Sequence, residues 1–168
     1  MIWIAADCQF EDNQKQKIEK WNKIVGKDDE VLILGHFYNG NYKELLEKLN
    51  GQKAIIDYKN KEYENWNRAE LIEQGFIRVN HTYSYASEIQ NGTVHILPDD
   101  EKLEVAKQGQ IWCASARSIT KQTKPLQNNI LSLSYVDWDD SPIEYNRIPI
   151  LYKNMVKFYQ MGDDESVG

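Results

Sequence analysis

The chain has 168 residues, 41% hydrophobic and 27% charged, which suits one domain with a buried core and excludes a fibrous or disordered chain. Its apolar runs are too short to cross a bilayer. A formal net charge of −6 disfavours broad nucleic-acid binding and favours a protein or small-ligand partner. The apolar start lacks a basic flank, so we expect a cytoplasmic protein. Cys8 and Cys113 form no CxxC pair, so we expect both to be free thiols. We also expect no cofactor.

The first third of the chain alternates short apolar runs with amphipathic stretches. The predicted elements, in chain order, are a strand at 2–6, a helix from a cap at Asp12 or Asn13 to about Val25, a strand from Val31, a helix at 42–49 and a strand at 54–56. The helical spacing places Ile18, Trp21, Ile24 and Val25 in the core. This order predicts a parallel sheet, and Gly35 brings His36 to the carboxyl edge, where open α/β sheets usually bind ligands.

The remainder of the chain has a different pattern. A helix is predicted from Glu62 to Glu73, with Trp66, Ala69, Leu71 and Ile72 as its contacts. Predicted strands follow at 83–89, 93–97, 110–116 and 130–136, and Asn91-Gly92 indicates a hairpin between the first two. We expect one domain over residues 1–161 and a disordered tail over 162–168.

Several segments resemble the small calcineurin-like metallophosphoesterases, in particular the short bacterial and bacteriophage forms. The resemblance rests on Trp21-Asn22, on Asp29 through Leu34-Gly35 to Phe37, on Leu49-Asn50-Gly51-Gln52-Lys53, and near the end on Leu133, Trp138, Pro142 and Ile143. It implies an α/β (α+β) fold, a four-layer αββα sandwich with mixed sheets. It also implies a site in which Asp, His and Asn hold two metal ions that activate a hydroxide.

This sequence departs from the family at most of the positions that would hold metal. Asp7 is kept, but the first histidine is Gln9 and the bridging aspartate is His36. The remaining former site positions, in chain order, are Lys59, Asn60, Ile96, Ala114 and Ala116. A lysine at neutral pH is a cation that only donates, and methyl groups cannot coordinate at all. We therefore expect no catalytic residues and no two-metal centre.

Three alternatives stay open at the sequence level. Asp7, Gln9 and His36, with Cys8 or Cys113, could form a single repurposed metal site, although an Asp7–His36 hydrogen bond in an empty pocket is the simpler reading. Lys59, Lys61 and Arg117 could hold a phosphate or nucleotide without cleaving it. A residual metal-dependent phosphoesterase is the third alternative.

The favoured hypothesis is a non-catalytic protein that acts by binding. Aromatic and acidic side chains in predicted loops are candidates for a protein interface because Trp and Tyr bury large areas at low entropic cost: Tyr38, Tyr58, Trp66, Trp138, Asp139 and Asp140. By analogy with the short phage forms, we expect an accessory protein that inhibits or regulates a host protein in the host cytoplasm.

Overall fold

A computed structural model of the chain describes residues 1–6, 8–11, 14–57, 61–80 and 142–147, and the backbone of four further strands. The helices are α1 (Lys15–Ile24), α2 (Tyr42–Lys48) and α3 (Arg68–Gln74), with 3₁₀ turns at Lys61–Tyr63 and Tyr145–Arg147. The strands are β1 (Ile2–Ala6), β2 (Glu30–Leu34), β3 (Gln52–Ile56), β4 (Arg78–Asn80), β5 (Tyr83–Ala86), β6 (Thr93–Leu97), β7 (Gln110–Ala114), β8 (Ile130–Ser132) and β9 (Ile143–Glu144). The chain is therefore a mixed α/β protein.

The first sheet has the strand order β4-β3-β2-β1-β9. Strands β1 to β4 are parallel, and β9 adds an antiparallel edge beside β1. The parallel sheet expected from the sequence is thus confirmed. Because neighbouring parallel strands end at the same edge, the segments that follow β1, β2 and β3 lie side by side.

Both faces of the first sheet are buried. Val31, Ile33 and Ile55 belong to the main core cluster, together with apolar side chains from all three helices. On the opposite face, Leu32 and Ile56 are 0% exposed. Strands buried on both faces read as continuous apolar runs, which is why they could be located from the sequence.

Helices α1 and α2 are joined near their carboxyl ends by hydrogen bonds through Asn22 and Asn50. Asn22 donates to the carbonyl of Lys48 (2.9 Å) and accepts from the backbone nitrogen of Asn50 (2.7 Å). Trp21, buried in the core, donates its indole N–H to the carbonyl of Asn50 (2.9 Å). These bonds fix the ends of the two helices and leave their amino-terminal halves free of this clamp.

A buried lysine closes the carboxyl end of α2. Lys53 Nζ donates to the carbonyl oxygens of Leu46 (2.9 Å), Leu49 (2.7 Å) and Gly51 (2.7 Å). Leu46 lies in the last turn of α2, Leu49 is its C-cap and Gly51 follows in the turn to β3, so the ammonium sits at the negative end of the helix dipole. Lys53 therefore has a structural role in holding β3 against α2.

The structure corrects three predictions about helices. The predicted helix at 62–73 is a 3₁₀ turn followed by α3, because Asn67 accepts from the backbone nitrogen of Glu70 (2.8 Å) and starts a separate helix. Helix α1 begins at Lys15, after Gln14. Ile24 and Ile72 are 38% and 46% exposed, so the expectation that they lie in the core was wrong, as it was for Ala69, which is exposed.

The second sheet has the order β5-β6-β7-β8. β5 and β6 are antiparallel, whereas β6, β7 and β8 are parallel neighbours. All four predicted strands are present, with described bounds that end earlier than predicted for three of them. The Asn91-Gly92 turn and the tail at 162–168 lie outside the described residues. No helix in the described ranges has the length and apolar character needed to span a membrane.

Candidate functional site at the carboxyl edge of the first sheet

The segments after β1 and β2 are held together by backbone hydrogen bonds. The backbone nitrogen of Gln9 donates to the carbonyl of His36 (3.1 Å), and that of Phe10 donates to the carbonyl of Phe37 (2.8 Å). Phe10 and Tyr38 form a parallel bridge that extends this pairing. Gln9 and His36, both predicted site residues, are therefore neighbours at the sheet edge, and the predicted position of His36 is confirmed.

Glu62 ties the segment after β2 to the 3₁₀ turn that follows β3. Its carboxylate accepts from the backbone nitrogen of Phe37 (2.8 Å), more weakly from that of Tyr38 (3.4 Å), and from the hydroxyl of Tyr42 (2.9 Å). His36 Nδ1 lies 3.6 Å from Glu62 Oε1. The Glu62 side chain is 9% exposed and that of His36 is 49% exposed. Glu62 is thus a buried anchor, and His36 is the solvent-facing member of the pair.

A cluster of aromatic rings packs around Tyr42, whose hydroxyl donates to Glu62. The ring of Tyr42 contacts those of Phe37, Tyr63, Trp66 and Phe76 at centroid distances of 5.6–6.5 Å. Burial and the negative charge of Glu62 raise the pKa of the Tyr42 hydroxyl, and the same causes raise that of buried Tyr63. Both phenols therefore stay protonated at neutral pH, and Tyr42 remains a hydrogen-bond donor.

Gln9 has an unusual backbone conformation. Its φ is +50°, and among the described residues other than glycine Gln9 alone has a positive φ. Left-handed backbone costs energy for a residue with a Cβ, and such residues cluster at functional sites and tight turns. In this chain the conformation turns the backbone back toward the carbonyl of His36, and the Gln9 residue is exposed.

The other predicted metal-site positions fall in different parts of the chain. Ile96 lies in β6 and pairs with Tyr83 and Cys113, and Ala114 is the last residue of β7, paired with Leu97 and Ser132. Asp7, Lys59, Asn60 and Ala116 lie outside the described residues. The structure therefore brings together Gln9 and His36, and the convergence of the full set stays a prediction.

The single-metal and phosphate alternatives also depend on residues outside the described ranges. Among the described residues, which lack Asp7, no three His, Cys, Asp or Glu side chains are placed to hold a metal ion. Cys8 is 5% exposed, and its carbonyl oxygen accepts from the Lys17 ammonium. Of the proposed phosphate ligands, Lys61 is exposed at the start of the 3₁₀ turn, and Lys59 and Arg117 are not described.

The predicted interface residues are only partly available for contact. Tyr38 and Trp66 are half-buried and pack against the core cluster. Both rings contact Tyr42, at centroid distances of 6.4 Å and 5.6 Å. Their main role is therefore packing, with one edge exposed. Tyr58, Trp138, Asp139 and Asp140 lie outside the described residues.

Glu62 was not predicted as a site residue. It lies in a polar stretch, Lys59 to Glu64, where a carboxylate is unremarkable. Its importance comes from three donors supplied by Phe37, Tyr38 and Tyr42, which are 20 to 25 residues away in the chain. The sequence contains no local signal for such contacts.

Comparisons with known proteins place the fold but no activity. The described elements define a mixed α/β domain with two mixed sheets. The chain is similar to the crystal structure of AQ665 from Aquifex aeolicus, a protein of unknown function, with a TM-score of 0.59 and 11% sequence identity over 90% of this chain and 98% of the other. No protein-family model and no curated protein sequence matches the chain. At this identity the likeness shows a common fold alone.

Proposed function

We propose that this chain is a metallophosphoesterase-like domain that has lost two-metal chemistry and acts by binding a protein partner. The observation that carries the proposal is the arrangement of His36 and Glu62. His36 occupies the position after β2 at which the family has an anionic bridging ligand. A neutral imidazole offers one coordinating nitrogen there, and a protonated one offers none.

The nearby carboxylate is already engaged. Glu62 accepts hydrogen bonds from the backbone nitrogens of Phe37 and Tyr38 and from the hydroxyl of Tyr42. These three hydrogen bonds occupy most of the roughly four lone-pair sites of the carboxylate, which leaves it little capacity to ligate a metal ion.

Burial of the first sheet supports the αββα sandwich. The helices and the main core cluster cover one face. On the opposite face, Ile4, Leu32, Leu34, Ala54 and Ile56 are each 0% exposed. Side chains this fully buried need another layer of the chain against them, and a second sheet in that position is the arrangement that the family resemblance implies.

The rim formed by Gln9, His36 and Lys61 is the proposed contact surface for the partner. All three residues are exposed, and they lie on the segments that follow β1, β2 and β3. Polar groups on loops above a rigid sheet are the usual location of binding residues. In this proposal the domain is an accessory protein, and the bound partner is inhibited or regulated.

Metal content and hydrolysis test the loss of chemistry. Protein purified without chelator is expected to hold well under one equivalent of manganese, iron or zinc by elemental analysis. It is also expected to hydrolyse bis-p-nitrophenyl phosphate at the buffer rate when Mn²⁺ is added in excess over the protein. Two bound ions together with Mn²⁺-dependent hydrolysis would contradict the proposal.

Quantitative capture of partners from a cell lysate tests the binding role. The wild-type chain is compared with His36→Ala and Lys61→Glu on the rim and with Lys23→Glu, an exposed residue on α1. The proposal expects a partner whose recovery falls with the rim variants and persists with Lys23→Glu. Equal recovery with all three variants would show that the rim does not bind it.

A further inference from the structure

A cavity of about 730 Å³ lies between the first half of α1 and the Glu44–Lys48 part of α2. It is lined by Lys15 and Ile18 of α1, by Leu45 and Lys48 of α2 and by the loop residues Glu11 and Tyr38. Its volume falls within the range of small-molecule sites, roughly 300–1,000 Å³.

The cavity has an apolar floor and wall. Leu45 is 7% exposed, and Ile18 and Tyr38 are partly buried and pack against the core cluster. The Tyr38 ring is held edge-on by Tyr42, with a centroid distance of 6.4 Å. A ligand that fills this part of the cavity must therefore present a large apolar side chain.

Four charged side chains line the cavity: Glu44 and Lys48 form an ion pair, and Glu11 and Lys15 have no ion-pair partner among the described residues. Lys48 Nζ lies 3.5 Å from Glu44 Oε1, so this pair offers a ligand little net charge. Glu11 and Lys15 both line the cavity, and no described residue forms an ion pair with either of them. The mouth thus offers one carboxylate and one ammonium that can each take a partner of opposite sign.

We propose that this cavity binds a zwitterionic α-amino acid or dipeptide with a large apolar side chain. The ligand ammonium pairs with Glu11, its carboxylate pairs with Lys15, and its side chain packs on Ile18, Leu45 and Tyr38. A zwitterion matches a mouth at which a carboxylate and an ammonium have no ion-pair partner among the described residues, whereas a cation or an anion would satisfy one group and face the like charge of the other. The proposal does not depend on the function proposed for the rim.

The affinity expected for an amino acid can be estimated from its number of non-hydrogen atoms. L-tryptophan binding at the usual efficiency of a drug-sized ligand has an expected Kd of about 0.1–1 mM, which two-dimensional ¹H–¹⁵N NMR measures well. Chemical-shift changes are expected to centre on the backbone amides of Lys15, Ile18 and Leu45. Glycyl-L-tryptophan tests whether the cavity prefers a dipeptide, and binding of either compound supports the proposal.

Ligand analogues and variants decide which groups matter. Tryptamine lacks the carboxylate, indole-3-propionate lacks the ammonium, and glycine lacks the side chain. Each of the three is expected to bind at least about 3-fold more weakly than L-tryptophan. Glu11→Gln and Lys15→Gln are expected to weaken tryptophan binding about 3–10-fold each. Glu19→Gln and Lys20→Gln are the matched controls, exposed on α1 and not lining the cavity, and are expected to leave it unchanged.

Three results would overturn the proposal. The first is the absence of shift changes at 10 mM tryptophan and glycyl-tryptophan, a concentration about tenfold above the weakest expected Kd. The second is equal binding by N-acetyl-tryptophan amide, which carries neither charge. The third is an equal loss of binding in the Glu19→Gln and Lys20→Gln controls, which would indicate general electrostatics and not a site.

Discussion

The Glu62 carboxylate accepts a 2.8 Å hydrogen bond from the backbone nitrogen of Phe37, 25 residues earlier in the chain. Through this bond, the 3₁₀ turn after β3 fixes the loop after β2, and with it the position of His36. Phe37 is fully buried, so its backbone N–H depends on the Glu62 carboxylate for a hydrogen-bond partner. The geometry of the candidate site therefore depends on a residue that is itself hidden from a ligand.

Replacing Glu62 is expected to destabilise the protein. Glu62→Ala removes the acceptor for Phe37 and Tyr42 and leaves a buried N–H without a partner, which predicts a loss of about 2–4 kcal/mol in the free energy of unfolding. Glu62→Gln keeps one accepting oxygen and should cost less. Urea denaturation followed by tryptophan fluorescence measures both, with exposed Glu64→Ala as the control, and an effect of Glu62→Ala no larger than the control would refute the anchor role.

Lys53 is expected to matter more for stability than any exposed lysine. Lys53→Met keeps most of the side-chain volume but removes the ammonium that donates to the carbonyls of Leu46, Leu49 and Gly51. We expect a loss of about 2–3 kcal/mol. Lys48→Met, at a 56% exposed side chain at the end of α2, is the control and should change stability by less than about 0.5 kcal/mol. Similar unfolding midpoints for the two variants would argue against a structural role for the buried ammonium.

Lys53 also predicts a rise of stability in mild alkali. Burial lowers the pKa of Lys53 from 10.5 to about 8. Above about pH 8 the folded protein releases this proton, whereas the unfolded chain retains it up to about pH 10.5. The unfolded state thus binds more protons, and the Lys53 contribution to the free energy of unfolding rises with pH. Between pH 7.5 and 9.0 the wild type should gain about 1 kcal/mol relative to Lys53→Met in urea unfolding, and parallel curves would disprove the shift.

The lowered pKa of Asp29 predicts a loss of stability in acid, at the other end of the pH range. The indole N–H of Trp3 (3.0 Å) and the backbone N–H of Gly26 (2.8 Å) both donate to its carboxylate, and they lower its pKa. The resulting stabilisation is present above the unfolded pKa, near 4, and is lost as the pH falls through the lower folded value. Unfolding midpoints measured from pH 6 to pH 2.5 should fall less steeply in Asp29→Asn than in the wild type. Asp28→Asn, in the exposed turn beside it, should keep the wild-type slope.

Gln9 provides a test of backbone strain at the rim. Because its φ is +50°, Gln9→Gly should fold at least as stably as the wild type, and Gln9→Val should lose about 1–2 kcal/mol. Thermal unfolding of the two variants checks the prediction. The order would reverse if Gln9 adopted extended backbone in solution, since valine favours that conformation.

The strands of the first sheet could be predicted because their signal is local. Val31 to Leu34 is an unbroken apolar run that ends at Gly35, and this pattern is sufficient to locate β2 and to bring His36 to the edge. The same holds for β1 and for residues 54–56 of β3, whose first two residues, Gln52 and Lys53, are polar and were not predicted as strand. Burial on both faces favours continuous apolar runs, so these segments could be located without knowledge of their neighbours.

The interior of the site could not be predicted because its signal is tertiary. Glu62 and Lys53 are charged residues that a sequence pattern assigns to the surface. Glu62 becomes structural through a backbone group 25 residues away, and Lys53 through carbonyls that the turn between α2 and β3 brings around its ammonium. The predicted helix at 62–73 failed for a related reason. Tyr63 and Trp66 pack on Tyr42, and this packing holds the stretch before α3 in a 3₁₀ turn and a loop.

Strand β9 has a protective consequence. It contributes two residues, Ile143 and Glu144, whose partners on β1 are Ile4 and Trp3. Without β9, the apolar strand β1 (Ile2–Ala6) would be the edge strand of the sheet. Its unpaired backbone N–H and C=O groups could then pair with another polypeptide. The return of the chain at position 143 thus makes the edge of the sheet a strand of two residues, which offers another polypeptide less backbone to pair with.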